Sequence, residues 1–205
     1  MNILSHIDIV LVNPLYAGNM GQAARAMKNM GLGRLVLVNP AEDPLSMDAR
    51  KMAVSAFDVI EKARIFSSLQ EALDPYHYIV ATTTRKRKGH PHRYTARGLA
   101  PRILEEAGSG RTAILFGRED KGLFNDEILM ATDIVTIPTS SRLSSLNLSQ
   151  AVLLVTYEIF QEYNPDRVSP EPLYQTADLK ARMACLGHLE ENLARIGFFH
   201  SSSRD

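Results

Sequence analysis

Residues 134–159 read IVTIPTSSRLSSLNLSQAVLLVTYEI, and they pass from a short β-branched strand into a helix. A strand is predicted over 134–137, ended by Pro138, which has no N–H to give a ladder. A polar loop follows over 139–145, and a helix opens at Asn147 or one residue earlier. Leu148, Val152, Val155 and Ile159 share one face of that helix, while Ala151, Leu153, Leu154 and Phe160 fill most of the rest. A helix that is apolar almost all round is buried on more than one side. Its first-turn N–H groups therefore meet a loop rich in hydroxyl and amide groups, a place to bind a small polar ligand beside an oligomer interface. A serine-rich turn with an asparagine cap has the same pattern, so the rest of the chain has to decide.

Upstream, strands and helices alternate. Strands are predicted at 8–12, 34–38, 78–81 and 112–116, and helices at 19–30 (closed by Gly31), 47–55, 69–73, 99–107 and 125–131. Met47, Met52 and Val54 form the apolar stripe of the second helix. Apolar strands separated by helices imply an α/β fold with a parallel sheet covered on both faces. Ligands of such sheets bind beyond the carboxyl ends of the strands. The polar stretches lie there, beginning at Asn13, Thr82, Gly117 and Pro138, so they are expected to form one site. Residues 164–176 carry three prolines and read as a linker. Residues 177–196 form an amphipathic helix with Leu179, Met183, Leu186, Leu193 and Ile196 on one side. The expected domains are thus 1–163, a linker at 164–176 and a helical extension at 177–205.

The chain has 205 residues, with 45% apolar and 22% charged side chains, enough for a globular core plus an appendage. No apolar run approaches a membrane span and the first residues lack a signal-peptide pattern, so a cytoplasmic protein is expected. Cys185 is the single cysteine, which excludes an intramolecular disulfide or a cysteine-based metal site. The histidines have no convincing metal spacing, and no metal requirement is expected. The turn after the first strand, residues 13–21, lacks the G-x-G-x-x-G of a nicotinamide site, and no phosphate-loop or G-x-S-x-G motif is present. The 23 basic and 23 acidic residues balance, so any attraction for nucleic acid must be local. Arg85-Lys86-Arg87-Lys88-Gly89-His90-Pro91-His92-Arg93 supplies one, directly after a site strand.

Three blocks narrow the reading. Asn19-Met20-Gly21-Gln22-Ala23-Ala24-Arg25-Ala26-Met27-Lys28-Asn29-Met30-Gly31 follows the first strand, Leu115-Phe116-Gly117-Arg118-Glu119-Asp120-Lys121-Gly122-Leu123 a later one, and Ser144-Ser145-Leu146-Asn147 lies in the opening stretch. In this order and spacing they resemble motifs 1, 2 and 3 of the SPOUT methyltransferases, SpoU (TrmH-like) branch. The likeness covers about residues 7–163 and weakens at Gly187-His188-Leu189-Glu190; the motif 3 loop, Thr139-Ser140-Ser141-Arg142-Leu143, departs from the family pattern.

The resemblance implies a deep trefoil knot, which pattern reading alone could not show, and a homodimer built on the knot region and the first helix. It implies S-adenosylmethionine, released as S-adenosylhomocysteine, held by Thr82, Thr83, Thr84, Phe116, Gly117, Arg118, Ile137, Ser144, Ser145 and Leu146. Gly117 is expected to let backbone approach the cofactor. Arg25 is expected to be catalytic, binding the substrate phosphate and orienting a ribose 2′-hydroxyl, since an arginine stays protonated. Ser145 and Asn147 would place the hydroxyl and hold Arg25, and Asn19 would cap the first helix beside them. Glu119 is read as more structural than functional, pairing with an arginine. Arg85, Arg87, Lys88 and Arg93 would bind RNA. The implied activity is 2′-O-methylation of tRNA at the first anticodon-loop nucleotide, position 32, cytidine or uridine. The alternatives are another tRNA position or ribosomal RNA, or a catalytically silent RNA-binding module.

Overall fold

The computed structural model describes residues 2–84, 93–164 and 177–198. Two compact units divide the chain, Met1–Arg167 and Val168–Asp205. In the first, β1 (Ile7–Val12), β2 (Arg34–Val38), β3 (Arg64–Phe66), β4 (Tyr78–Thr82), β5 (Arg93–Thr95), β6 (Thr112–Phe116) and β7 (Asp133–Thr136) form one sheet in the order β3-β2-β1-β6-β4-β7-β5. Every pairing is parallel; Ile9 aligns with Leu35 on one side and with Ile114 on the other.

All six residues of β1 are buried because the sheet is covered twice. Alternate side chains leave a strand on opposite faces. Ile7, Ile9 and Leu11 join Ile114 and Phe116 in one core, with α1 (Ala17–Asn29), α2 (Met47–Ala53), α3 (Phe57–Glu61), α5 (Ala96–Ser109) and α7 (Leu148–Tyr163). Val10 and Val12 join Ala113 and Leu115 in a second core, under α4 (Leu69–Leu73) and α6 (Asn125–Leu129). The two long core-facing helices that meet at the site, α1 and α7, are therefore on the same face of the sheet.

At the carboxyl edge two Asn-Pro steps turn the chain out of the sheet. Asn13 and Asn39 have φ of 49° and 44°, a left-handed conformation that asparagine tolerates better than most side chains. Their N–H groups still bond neighbouring strands, Asn13 to Val38 and Asn39 to Phe66. Gly31, at φ 73°, closes α1, and the Leu32 N–H returns to Met27 O.

Several local expectations change. The first helix starts at Ala17, so Asn19 lies inside its first turn and is not its cap; Tyr16 holds that position without a side-chain cap bond. Met47, Met52 and Val54 do not form a buried stripe. They are exposed, and α2 instead buries Ala49 and Ala53, small residues that suit its packing on α1. The helix ends at Val54, whose φ of 51° breaks the period. Strands β3 and β5 and helix α3 were not anticipated. Each is three to five residues long, and β3 and β5 are defined by their partners at the two sheet edges. In the second unit, α8 (Leu179–Arg195) is capped by Asp178, which accepts from the Ala181 N–H at 2.7 Å.

Candidate active site

The carboxyl ends of β4, β6 and β7, with the start of α7, enclose a cavity of about 350 Å³. Its walls include Thr82, Thr83, Thr84, Phe116, Gly117, Arg118, Ile137, Ser144, Ser145 and Leu146, so the fold brings all ten sequence-predicted cofactor residues to one place. Leu123, Val135, Leu148 and Ala151, none of them assigned to the cofactor from the sequence, complete the apolar side. Polar groups gather at the threonines of the β4 end and at Glu119, Asp120 and Lys121. This is the usual make-up of a small-molecule site, an apolar cleft of some 300–1,000 Å³ with a few directing polar groups.

The loop after β6 is held from within. Gly122 N–H bonds Arg118 O at 2.8 Å, with Gly122 at φ 63°. A Cβ on Gly117 would lie 2.1 Å from Gly122 C and 2.2 Å from Leu123 N. Gly117 is thus required by the loop folding back on itself, whatever it also does at the cavity it lines. The Arg118 guanidinium is also committed. It grips Glu127 at 2.9 and 3.0 Å, gives a bond to Asn13 Oδ1 at 2.7 Å, and stacks over Phe124. Arg118 lines the cavity but its charge is spent on tying the loop to the end of β1.

Among the described residues Glu119 pairs with no arginine. Its carboxylate accepts from the Leu15 N–H at 2.9 Å, the Tyr16 N–H at 3.4 Å and Asn19 Nδ2 at 2.8 Å. It serves as the missing cap of α1, delivered from a loop a hundred residues later; a negative charge there also suits the positive end of the helix. Nothing local in the sequence marks this role, because two of the three partners are backbone groups and the third, Asn19, is a hundred residues away.

A second, shallower cavity of about 510 Å³ lies beside the first. Tyr16, Gly18, Asn19, Gln22, Met52 and Asn147 line it, and it shares Glu119, Ser145 and Leu146 with its neighbour. Asn147 is the side-chain cap of α7. Its Oδ1 accepts from the Ser149 N–H at 2.9 Å, and Gln150 Oε1 accepts from its N–H at 3.3 Å. Asn147 Nδ2 donates to Asn19 Oδ1 at 3.0 Å. An amide chain therefore links Glu119, Asn19 and Asn147 across the boundary of the two cavities.

Arg25 stands apart. It is on the exposed face of α1, lines neither cavity, and has no hydrogen bond or ion pair among the described residues. Ser145 and Asn147 do not hold it within the chain. Of the expected RNA contacts, Arg85, Arg87 and Lys88 lie outside the described residues. Arg93 is engaged, its Nε donating to Thr136 Oγ1 at 2.5 Å and its Nη2 to Thr84 O at 3.0 Å, which fastens β5 to β7. Among the described residues no group of three or more His, Cys, Asp or Glu could hold a metal ion, and no helix is long and apolar enough to cross a membrane.

Comparison with known proteins bears on these cavities. Residues 6–157 match the model of the SpoU rRNA Methylase family. The chain is 39% identical over 204 residues to the tRNA (cytidine/uridine-2′-O-)-methyltransferase TrmJ of Pectobacterium atrosepticum, covering 96% of this chain and 82% of that one. It is 37% identical over 207 residues to the tRNA (cytidine/uridine/adenosine-2′-O-)-methyltransferase TrmJ of Pseudomonas aeruginosa, covering 96% and 80%. Among solved structures, TrmJ from Z. mobilis ZM4 superposes with a TM-score of 0.72 at 37% identity, over 96% of this chain and 83% of that one.

Proposed function

The chain belongs to the SpoU rRNA methylase family, and from that premise we propose that it moves a methyl group from S-adenosylmethionine to a ribose 2′-hydroxyl of tRNA. One observation carries the reading. The cavity built by the three strand-end loops and the cavity lined by Asn19 and Asn147 share a wall of Glu119, Ser145 and Leu146. A donor in the first and a nucleotide in the second would meet across that wall.

The first cavity fits S-adenosylmethionine. Phe116, Ile137 and Leu146 offer apolar walls for a purine, the threonine run offers hydroxyls, and Glu119 and Asp120 place negative charge near a sulfonium. When bound, the cofactor supplies an electrophilic methyl group that leaves a neutral thioether behind, so little acid catalysis is needed. The chain's own part is placement. Ser145 and Asn147 present a hydroxyl and an amide to the substrate ribose, Asn19 holds Asn147, and Glu119 holds Asn19. Positioning of this kind can supply roughly 7–11 kcal/mol of a barrier. The second cavity opens to solvent, which leaves the hydroxyl proton to the substrate phosphate or to water.

Arg25 binds that phosphate in this reading. Since it lines neither cavity of its own chain, it is delivered to the site of a second copy. Leu153, Leu154 and Tyr157, exposed on α7, provide an apolar face for a homodimer. The trefoil knot belongs to the same proposal. It is supported by β7 lying between β4 and β5 in the sheet although both precede it in the chain. The cytoplasm supplies the substrate, cytidine or uridine at position 32, with Arg85, Arg87 and Lys88 as backbone contacts. Relatives at this level of identity carry tRNA specificity in their names, which favours tRNA over ribosomal RNA.

The test is tritium transfer from labelled S-adenosylmethionine to bulk tRNA and to ribosomal RNA, followed by mapping of the methylated nucleotide. Label in tRNA is expected, and label confined to ribosomal RNA would overturn the substrate. Arg25→Ala and Arg25→Lys should both lose transfer while cofactor affinity measured by calorimetry stays near wild type, because lysine lacks the planar fork. Substantial activity in either variant would remove Arg25 from the mechanism.

A further inference from the structure

Gln22 sits one turn after Asn19 and one turn before Arg25, exposed on α1, and it lines the second cavity. Its carboxamide is held firmly at one end and weakly at the other. Gln22 Oε1 accepts from Ser149 Oγ at 2.8 Å, and Ser149 is buried in the first turn of α7. Gln22 Nε2 lies 3.5 Å from the Met52 sulfur. A thioether only accepts, and weakly, so the amide nitrogen faces Met52 and the oxygen faces the hydroxyl. Asn147 Oδ1, the other oxygen near the Ser149 hydroxyl at 2.7 Å, is already supplied by the Ser149 N–H. An amide oxygen accepts twice, so the single serine proton is shared between Gln22 Oε1 and Asn147 Oδ1. The outcome is an exposed amide whose acceptor is anchored and whose N–H groups face the cavity with a single weak partner. Free glutamine side chains on a helix surface keep their rotamer freedom; this one has given it up to aim a donor.

We infer that Gln22 is a specificity-determining residue that reads the sugar-side edge of the substrate base. The inference rests on the proposed reaction, which puts the ribose hydroxyl against Ser145 and Asn147. In an anti nucleotide the base atom overhanging the ribose is O2 of a pyrimidine or N3 of a purine. Cytosine, uracil and adenine all present an acceptor there, whereas guanine adds the N2 amino donor. A fixed amide N–H at this place accepts the first three bases and sets donor against donor in guanine.

The test uses the full-length protein and four tRNA transcripts that differ only at the target nucleotide. Wild type is expected to methylate the C, U and A forms with higher kcat/KM than the G form. Gln22→Ala should lower kcat/KM about five- to tenfold for C and U, the scale of one net hydrogen bond, and leave the G form within about twofold. Gln22→Glu replaces the donor by an acceptor and should raise the G form relative to the others. Cofactor affinity should stay unchanged in both, which a merely structural role for Gln22 would not give. Ser149→Ala, which frees the anchor but keeps the donor, should move the ratios in the same direction by a smaller factor. An equal loss for all four transcripts would mean a phosphate contact and overturn the inference, as would unchanged ratios. A wild type inactive on all four would instead overturn the proposed reaction.

Discussion

Asp8 and Asp133 lie at the amino ends of β1 and β7, fully buried, and each is surrounded by donors. Asp8 receives Arg34 Nε at 2.6 Å, Arg64 Nη2 at 2.6 Å, Arg111 Nη2 at 2.8 Å and the Tyr76 hydroxyl. Asp133 receives Arg102 Nη1 at 3.0 Å and the Tyr78 hydroxyl. At the carboxyl ends of the same sheet the pattern reverses. Ser145 and Arg25 are exposed and make no side-chain bond among the described residues, and the Gln22 amide nitrogen has only the weakly accepting Met52 sulfur, at 3.5 Å. The strands are common to both edges, so the difference is one of task. A buried carboxylate left without partners costs several kcal/mol, and the amino edge answers its charges within the chain; among the described residues Thr112 Oγ1 is a buried side-chain atom there that lacks a partner. An exposed group keeps water as a partner and can exchange it for a ligand, as the carboxyl edge requires.

The largest expected effect separates the edges outright. Asp8→Ala strands three guanidinium groups around an apolar gap and should cost about 3–5 kcal/mol in urea unfolding, the range for breaking a buried pair. Cofactor affinity of the molecules that remain folded should match wild type, since Asp8 is at the far end of β1. A stability loss below about 1 kcal/mol, or a loss of affinity in folded protein, would break the division of labour.

The sequence reading recovered the carboxyl edge better than the amino edge. The residues proposed to hold the cofactor were legible as a group because their motifs are contiguous, and all ten line one cavity. Asp8 was legible only as a member of an apolar strand. Its arginines come from positions 34, 64 and 111, and nothing local says that they converge. The same holds within the site. Gly117 was seen, but its reason, the return of Gly122 and Leu123 against it, depends on a turn with φ of 63°. Glu119 was read as structural, paired with an arginine; its partners are instead the Asn19 amide and the backbone N–H groups of residues 15 and 16, and no pattern of side chains announces the latter. Met47 and Met52 were assigned to the core by period, whereas close packing of α2 on α1 selected the alanines.

A second test sharpens the carboxyl edge. Gly117→Ala is the smallest change that meets the backbone of Gly122 and Leu123, and overpacking of this kind costs about 1–3 kcal/mol. Because the strain falls on the loop that lines the cavity at the ends of β4, β6 and β7, S-adenosylmethionine affinity should fall at least tenfold, with thermal unfolding shifted by several degrees. Wild-type affinity in calorimetry would show that the loop tolerates opening and does not shape the cofactor cavity.

The smallest effect returns to the amino edge and reads it through pH. Burial, then the hydrogen bond to Asp8 and its charge, raises the Tyr76 hydroxyl above the ordinary tyrosine value. A group whose folded pKa is raised contributes its stability in full below the unfolded value, about 10 for tyrosine, and loses it as pH climbs through the folded value. Above pH 10 the unfolded chain gives up this proton first, so stability should fall by an extra ~1.4 kcal/mol per pH unit. Tyr76→Phe removes one hydrogen bond and should cost about 0.5–1.5 kcal/mol between pH 7 and 9.5. It should also shed that extra alkaline slope, so that the wild-type and variant curves of unfolding free energy converge above pH 10. Parallel curves through that window would mean that the Tyr76 hydroxyl titrates as it does in the unfolded chain, and that Asp8 is held by its arginines alone.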